Sequence, residues 1–150
     1  MRETSLATMN CSIARTVEIV GDRWTLMIVR SLFAFKGLHR FDELRTELGI
    51  AKNILSDRLG LLREHGIVEQ RRYSDRPPRY EYHLTTAGRD LLPVILALLS
   101  WGDAHLMSEP PVILLHTECD HDTVPYLACS HCHEPIAPRA IVGRDTPSPQ

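Results

Sequence analysis

The residues of this sequence with the richest chemistry are cysteines and histidines close to its end. In the stretch HTECDHDTVPYLACSHCHEP, Cys129 and Cys132 have the C-x-x-C spacing of a zinc knuckle. A second pair, His116 and Cys119, has the same spacing ten residues upstream. We expect these four side chains to form a tetrahedral Cys3His zinc site, which is structural because four protein ligands leave no position for water. Other histidines that could supply the fourth ligand instead are His121, His131 and His133.

Two other interpretations of this stretch stay open. The segment has few apolar residues with which to fold, so it could be a loosely ordered tail whose thiols remain reduced. The C-x-x-C pair could also be a redox-active dithiol.

Two features of the sequence predict a cytoplasmic protein. The opening residues, MRETSLATMNCS, have no apolar run behind their arginine, so we expect no signal peptide. The longest apolar stretch, LLPVILALLSW, is too short to span a bilayer. In the cytoplasm, cysteines are more often thiols, metal ligands or redox sensors than structural disulfides.

Charge is distributed unevenly along the chain, although the net charge is only −2. Residues 36–89 carry eleven Lys and Arg against eight Asp and Glu, which is +3, and residues 90–150 carry two against eight, which is −6. A net charge close to zero argues against a general affinity for polyanions, and the uneven distribution leaves room for a local basic face.

Hydrophobic spacing predicts the order helix, helix, helix, helix, strand, strand, helix. The predicted helices cover residues 12–20, 24–35, 41–48, 52–64 and 87 to about 106, and the strands cover 67–74 and 79–85 with Pro77 and Pro78 in the turn. The third and fourth helices form a helix-turn-helix, and the hairpin after them is a wing. The fold class is therefore mainly α with a small β hairpin, a winged helix-turn-helix, plus a short C-terminal zinc-knuckle-like segment. The predicted divisions are an N-terminal arm (1–9), the winged helix with its dimerisation helices (10–107), the knuckle segment (108–140) and a disordered tail (141–150).

The fourth helix is the predicted recognition helix. Its apolar face is Leu55, Leu59 and Leu62, and its opposite face includes Lys52, Asn53, Ser56 and Asp57. Lysine suits guanine O6 and N7, asparagine suits adenine N6 and N7, and the first helical turn is the part that meets base edges. Arg58 is a phosphate candidate, while Asp57 either accepts from a cytosine amine or pairs with Arg58. The alternative is an ordinary solvated amphipathic face.

The hairpin concentrates four arginines near its tip. Arg76 and Arg79 are the expected contacts to DNA backbone or groove. Arg71 and Arg72 cannot both face DNA, because side chains alternate along a strand. We expect one of them to pair with Glu69 or Glu81, and we assign Arg72 to the DNA-facing set.

These segments together resemble the HxlR-type winged-helix regulators of bacteria. The matching pieces are Cys11 before the first helix, GDRWTLMIVRSL, RFDELRTELGIAKNILSDRLGLLREHGIVEQRRY, PPRYEYHLTTAGRDLLPVI and the Trp101-Gly102 pair, over roughly residues 10–105. The resemblance implies a homodimer, joined by the first and last long helices, that binds double-stranded DNA with a two-fold operator and represses a nearby gene. One departure is Ala51, where the family often has a serine; it removes a side-chain cap from the first amides of the recognition helix.

Cys11 has two interpretations. Free cysteines are often small buried hydrophobic residues. The resemblance implies the other, a sensor of oxidants or electrophiles, and Arg15 one helical turn on would favour the reactive thiolate.

We find no arrangement of residues typical of an enzyme, and predict that the chain is not one. The competing classes are a winged-helix module for protein contacts, which would not need four clustered arginines, and a zinc or thiol redox protein without specific DNA binding.

Overall fold

The computed structural model describes residues 6–33 and 37–144. Its helices are α1 (Ser12–Val20), α2 (Arg23–Leu32), α3 (Phe41–Leu48), α4 (Lys52–Glu64), α5 (Thr86–Arg89) and α6 (Leu92–His105), and its strands are β1 (Val68–Asp75), β2 (Pro78–Leu84), β3 (Leu114–His116) and β4 (His121–Thr123). A 3-10 turn, Leu6–Thr8, precedes α1. The predicted succession of four helices, a hairpin and a further helical region is confirmed. Residues 34 and 35 of the predicted second helix, the first five residues of the arm and residues 145–150 of the tail lie outside the described residues.

The described residues divide into two compact units, with the boundary inside α6 after Ile95. The predicted boundary after residue 107 stays a prediction. All of the buried apolar side chains in the described residues belong to the first unit, where α2 is central: Ile28 and Val29 are fully buried. The leucine face of α4 packs into the same core, with Leu55 and Leu62 at 0% exposure and Leu59 at 2%.

Local backbone interactions define both ends of α3. Gly49 ends α3 in the left-handed region, at φ 61°, which a residue without Cβ adopts without strain. At the other end of α3, the Glu43 carboxylate accepts the backbone N–H of Arg40 at 3.0 Å and that of His39 at 3.2 Å. These hydrogen bonds, led by the one from Arg40, lower the pKa of Glu43 and stabilise the first turn of the helix. Gly49 therefore defines the end of α3 that leads to α4, and the Glu43 hydrogen bonds define its other end.

The wing is an antiparallel hairpin in which Val68 lies opposite Leu84 and Arg71 opposite Glu81. The segment before α3 adds to its other edge, because Tyr82 N–H donates to the His39 carbonyl at 2.7 Å. Pro77 lies in the turn as predicted, but Pro78 is the first residue of β2, opposite Asp75. That position tolerates proline because the first residue of a strand need not donate to the ladder.

The last predicted helix is broken in two, which corrects a continuous helix from residue 87. Thr85 caps α5 by accepting the N–H of Gly88 at 3.1 Å. The chain then leaves the helical path and α6 begins at Leu92. Proline lacks an N–H and its ring clashes with the preceding turn of a continuous helix, so restarting places Pro93 in a first turn, where it is tolerated.

The second unit has secondary structure that the hydrophobic pattern did not predict. β3 and β4 form a hairpin with His116 opposite His121, and an isolated bridge joins Ala128 to Pro135. None of the described residues 96–144 is buried. No helix in the described ranges has the length and apolar character needed to cross a membrane.

Candidate nucleic-acid interface

The exposed face of α4 is the first component of the interface. Lys52, Asn53, Ser56 and Asp57 are all exposed, and none makes a side-chain hydrogen bond or ion pair within residues 6–33 and 37–144. Because the leucines on the opposite face are buried, rotation about the helix axis is fixed and these four side chains remain available to a ligand. The structure therefore exposes all four residues that the sequence placed on the polar, DNA-facing side of this helix.

Arg58 is the exception on this helix. Its Nε lies 3.3 Å from the Asp22 carboxylate, and both side chains are about one-third exposed. Asp22 also caps α2 by accepting the N–H of Trp24 at 2.9 Å. Arg58 thus joins α4 to the start of α2, and the alternative that it pairs with Asp57 is not what the structure shows.

Two of the four wing arginines hold the hairpin together. Arg71 donates from Nε and Nη2 to one carboxylate oxygen of Glu69, which confirms the prediction that one arginine of the pair has a carboxylate partner. Arg72 donates to the carbonyls of Ser74 and Asp75 and lies 3.1 Å from the Asp75 carboxylate, beside the irregularity in the β1–β2 register. Arg72, placed in the predicted DNA-facing set, is engaged in shaping the tip.

The other two wing arginines have no partner among the residues that the structure describes. Arg76 lies in the turn and Arg79 lies opposite Ser74 on β2. Both are exposed, and neither makes a hydrogen bond or ion pair with any described residue. Their guanidinium groups are the cations of the wing that are available to phosphate.

Arg40 is a residue that the sequence reasoning missed. Its guanidinium lies 4.7 Å from the centre of the Tyr73 ring and 3.3 Å from the Glu81 carboxylate, so it ties the entrance of α3 to both strands of the wing. Its backbone also pairs with that of Glu81. The available signal was its position three residues before Glu43, which marks the start of a helix.

The beginning of α4 matches the predicted consequence of Ala51. This residue is the N-cap, and its side chain makes no capping hydrogen bond. The first backbone N–H groups of α4 therefore receive no hydrogen bond acceptor from the N-cap side chain. They lie at the end of the helix where its dipole favours an anion.

Cys11 precedes α1, and the predicted zinc ligands belong to the second unit. Cys11 is the partly exposed N-cap of α1, and the Arg15 Nε donates to the Met9 carbonyl at 3.2 Å. His116 and Cys119 meet, with Nδ1 and Sγ 3.2 Å apart, and the Cys129 and Cys132 side chains interact with each other. The four predicted zinc ligands are not gathered into one cluster: the described ranges hold no group of three or more His, Cys, Asp or Glu residues fit to bind a metal.

A helix-turn-helix with an exposed polar recognition face, followed by a wing with unpaired arginines, defines a DNA-binding transcriptional regulator and not an enzyme. The model of the HxlR-like helix-turn-helix family matches residues 19–110. The chain belongs to this family, as the sequence motifs indicated.

Relatives agree with this assignment. The HTH-type transcriptional regulator Rv3095 of Mycobacterium tuberculosis is 44% identical over 140 residues, covering 92% of this chain and 85% of that protein. The crystal structure of PA1607 matches with a TM-score of 0.80 at 34% identity, over 95% of this chain and all of that one. The oxidised form of the redox regulator HypR matches with a TM-score of 0.59 at 31% identity, over 65% of this chain and 99% of its own.

The unpaired state of Arg79 predicts a phosphate contact that can be measured. Arg79→Gln should weaken binding to every DNA sequence and make the dependence of log affinity on log salt shallower by about 0.9 for one lost contact. Arg71→Gln removes the same charge from an arginine already paired with Glu69. This control should leave the salt slope unchanged. Equal slopes in the two variants would show that pairing within the wing does not decide which arginine meets DNA.

Proposed function

We propose that this regulator binds a two-fold operator as a homodimer, reads its sequence through the first turns of α4, and represses the adjacent gene. A dimer seated over an operator would block access of the transcription machinery, which is the sense of regulation that the family resemblance implies. The arrangement also argues against a module for protein contacts alone, since arginines without partners among the described residues suit phosphate, as does a helix N-terminus without a side-chain cap.

The observation that carries the proposal is the contrast between engaged and available side chains. Arg58, Arg71 and Arg72 are held by carboxylates of the chain itself. Lys52, Asn53, Arg76 and Arg79 have no such partner among the described residues. Keeping these groups unpaired has no benefit for the fold, whereas base edges and phosphates supply the missing partners.

Asn53→Ala should alter which base is preferred, because asparagine recognises adenine through two hydrogen bonds. We expect a loss of about 1–3 kcal/mol at the best operator and relaxed preference at one base pair. The measurement is selection of bound sequences from random DNA with each protein, followed by binding titrations. In a homodimer the relaxed position should occur twice, related by the operator symmetry.

Asn10→Ala is the matched control, since Asn10 is the only other asparagine of the chain and lies before α1. It should select the same sequences as the original protein. Identical sequence preferences in all three proteins would exclude base recognition by Asn53, and a relaxed position without a symmetric copy would exclude the two-fold operator.

Uncovered apolar side chains on two helices support the homodimer. On α1, Ile13 is 75% exposed, and on α6, Leu98 and Trp101 are 50% and 58% exposed. Side chains of this size bury favourably, at roughly 25 cal/mol per Å² of apolar surface. A second copy of the chain is the partner that the family resemblance implies for both helices.

Charge introduced on α6 should separate the protomers. We expect Leu98→Glu combined with Trp101→Glu to be monomeric in analytical ultracentrifugation, because the pair would place two carboxylates in an apolar interface. Tyr80→Glu puts one such carboxylate on an exposed aromatic of the wing and should remain dimeric. A double variant that stays dimeric would contradict an α6 interface.

Regulation through Cys11 is supported by its partly exposed position at the start of α1 and by the likeness to the redox regulator HypR. A thiolate can add to a ring carbon of a quinone, forming an S–C bond while the ring takes up a proton. The adduct would be bulky and would lie on one of the helices proposed for the interface.

Quinone treatment should therefore release operator DNA from the original protein and leave the Cys11→Ser complex intact, as followed by fluorescence anisotropy. Mass spectrometry of the treated protein should place the adduct on Cys11. A triple variant with serine at Cys119, Cys129 and Cys132 is the control and should still respond. Equal release from the original and Cys11→Ser proteins would contradict sensing by Cys11.

A further inference from the structure

Two turns in the second unit share the same backbone geometry. We call His116–Asp120 the first knuckle and Cys129–His133 the second knuckle. In each, the N–H of the fifth residue donates to the carbonyl of the first, at 2.8 Å from Asp120 and 2.9 Å from His133. The fifth residue is also left-handed in both, with φ 57° at Asp120 and 62° at His133.

Both knuckles also close a small antiparallel pairing. His116 lies opposite His121 in the β3–β4 hairpin. In the second knuckle, Cys129 N–H donates to the Glu134 carbonyl at 2.9 Å, and the flanking residues Ala128 and Pro135 form a bridge. The spacing of the sequence puts a potential metal ligand at the first and fourth positions of each segment, and the structure adds that both segments form the same kind of turn.

Within each knuckle, the two potential ligands are already neighbours. His116 Nδ1 and Cys119 Sγ are 3.2 Å apart. Two such atoms bound to one tetrahedral zinc ion are separated by about 3.5 Å, given Zn–N near 2.0 Å and Zn–S near 2.3 Å. The other pair, Cys129 and Cys132, is linked by a side-chain interaction, and the His131 N–H points to the Cys129 sulfur at 3.4 Å.

We propose that the two knuckles are the halves of one structural zinc site, with His116 Nδ1 and the sulfurs of Cys119, Cys129 and Cys132 as its four ligands. The ion takes the place of a hydrophobic core in the second unit. The proposal goes beyond transcriptional regulation and lies outside the family match, which ends at residue 110.

The geometry also chooses among the histidines. The His121 ring contacts the Cys119 carbonyl, so its Nδ1 is occupied, and His131 and His133 lie inside the second knuckle next to the cysteines. Only His116 occupies the first position of a knuckle and contacts a cysteine sulfur.

The two pairs do not yet form a single cluster, so one knuckle has to approach the other when the ion binds. Little packing resists this movement, because no described residue from 96 to 144 is buried. A segment of this size rarely folds without a metal, disulfides or a partner, and the free energy of metal binding then becomes free energy of folding.

The test uses the full chain, purified under reducing conditions. Elemental analysis should find one zinc per chain, and Co²⁺ added to the zinc-stripped protein should give the intense visible absorption of tetrahedral cobalt with sulfur-to-metal charge transfer. His116→Asn and Cys119→Ser should each weaken metal retention against a chelator at least tenfold. His121→Asn, which changes a histidine of the same segment, should retain the metal as the original protein does.

Cys119→Ser separates the zinc site from a redox dithiol, because a dithiol needs only Cys129 and Cys132. Zinc-free protein that shows no tetrahedral cobalt spectrum would overturn the proposal, as would a Cys129–Cys132 disulfide forming equally with and without added zinc. Loss of metal in His121→Asn with retention in His116→Asn would overturn the ligand assignment. The cobalt spectrum of the original protein does not depend on any variant folding.

Discussion

The whole DNA-binding surface depends on burial of the leucine face of α4. Leu55, Leu59 and Leu62 enter the core beside Ile28 of α2, and together they leave the helix a single orientation. Truncating one such leucine typically costs about 2–5 kcal/mol, a large fraction of the 5–15 kcal/mol by which a domain of this kind is stable. The polar face of α4 is held outward by this burial, with no need for contacts of its own. The fold can therefore leave Lys52 and Asn53 without partners.

Charge pairing then divides the basic residues between architecture and binding. Arg58 fastens α4 to the N-terminus of α2, Arg71 and Arg72 brace the hairpin, and Arg40 links the hairpin to α3. Each of these ion pairs is partly exposed, so its separate contribution to stability is small. Their joint effect is positional, since they keep the recognition helix and wing in fixed relation while Arg76 and Arg79 remain available.

The C-terminal segment follows a different physical rule from the winged helix. The match to HypR covers almost all of HypR but only about two-thirds of this chain. The match to PA1607 covers nearly all of this chain, including its C-terminal segment. The additional segment has two hairpin-like turns and no buried side chain in its described residues. Its order must come from something other than a core. The zinc ion proposed for the two knuckles would provide it through four ligand bonds.

The sequence by itself determined the elements whose signals are local. Helical spacing of leucines, glycines at helix ends and prolines near the hairpin tip predicted α1 to α4 and the wing, because each depends on neighbours a few residues apart. The separation of the arginines into paired and unpaired groups was decided only by tertiary structure. Asp22 reaches Arg58, and Glu81 reaches Arg40, across large gaps in sequence that no spacing rule records. The break before α6 was likewise decided by backbone geometry, because the ring of Pro93 clashes with the preceding turn of a continuous helix. The equivalence of the two knuckles was decided in the same way, because it depends on the left-handed backbone of Asp120 and His133.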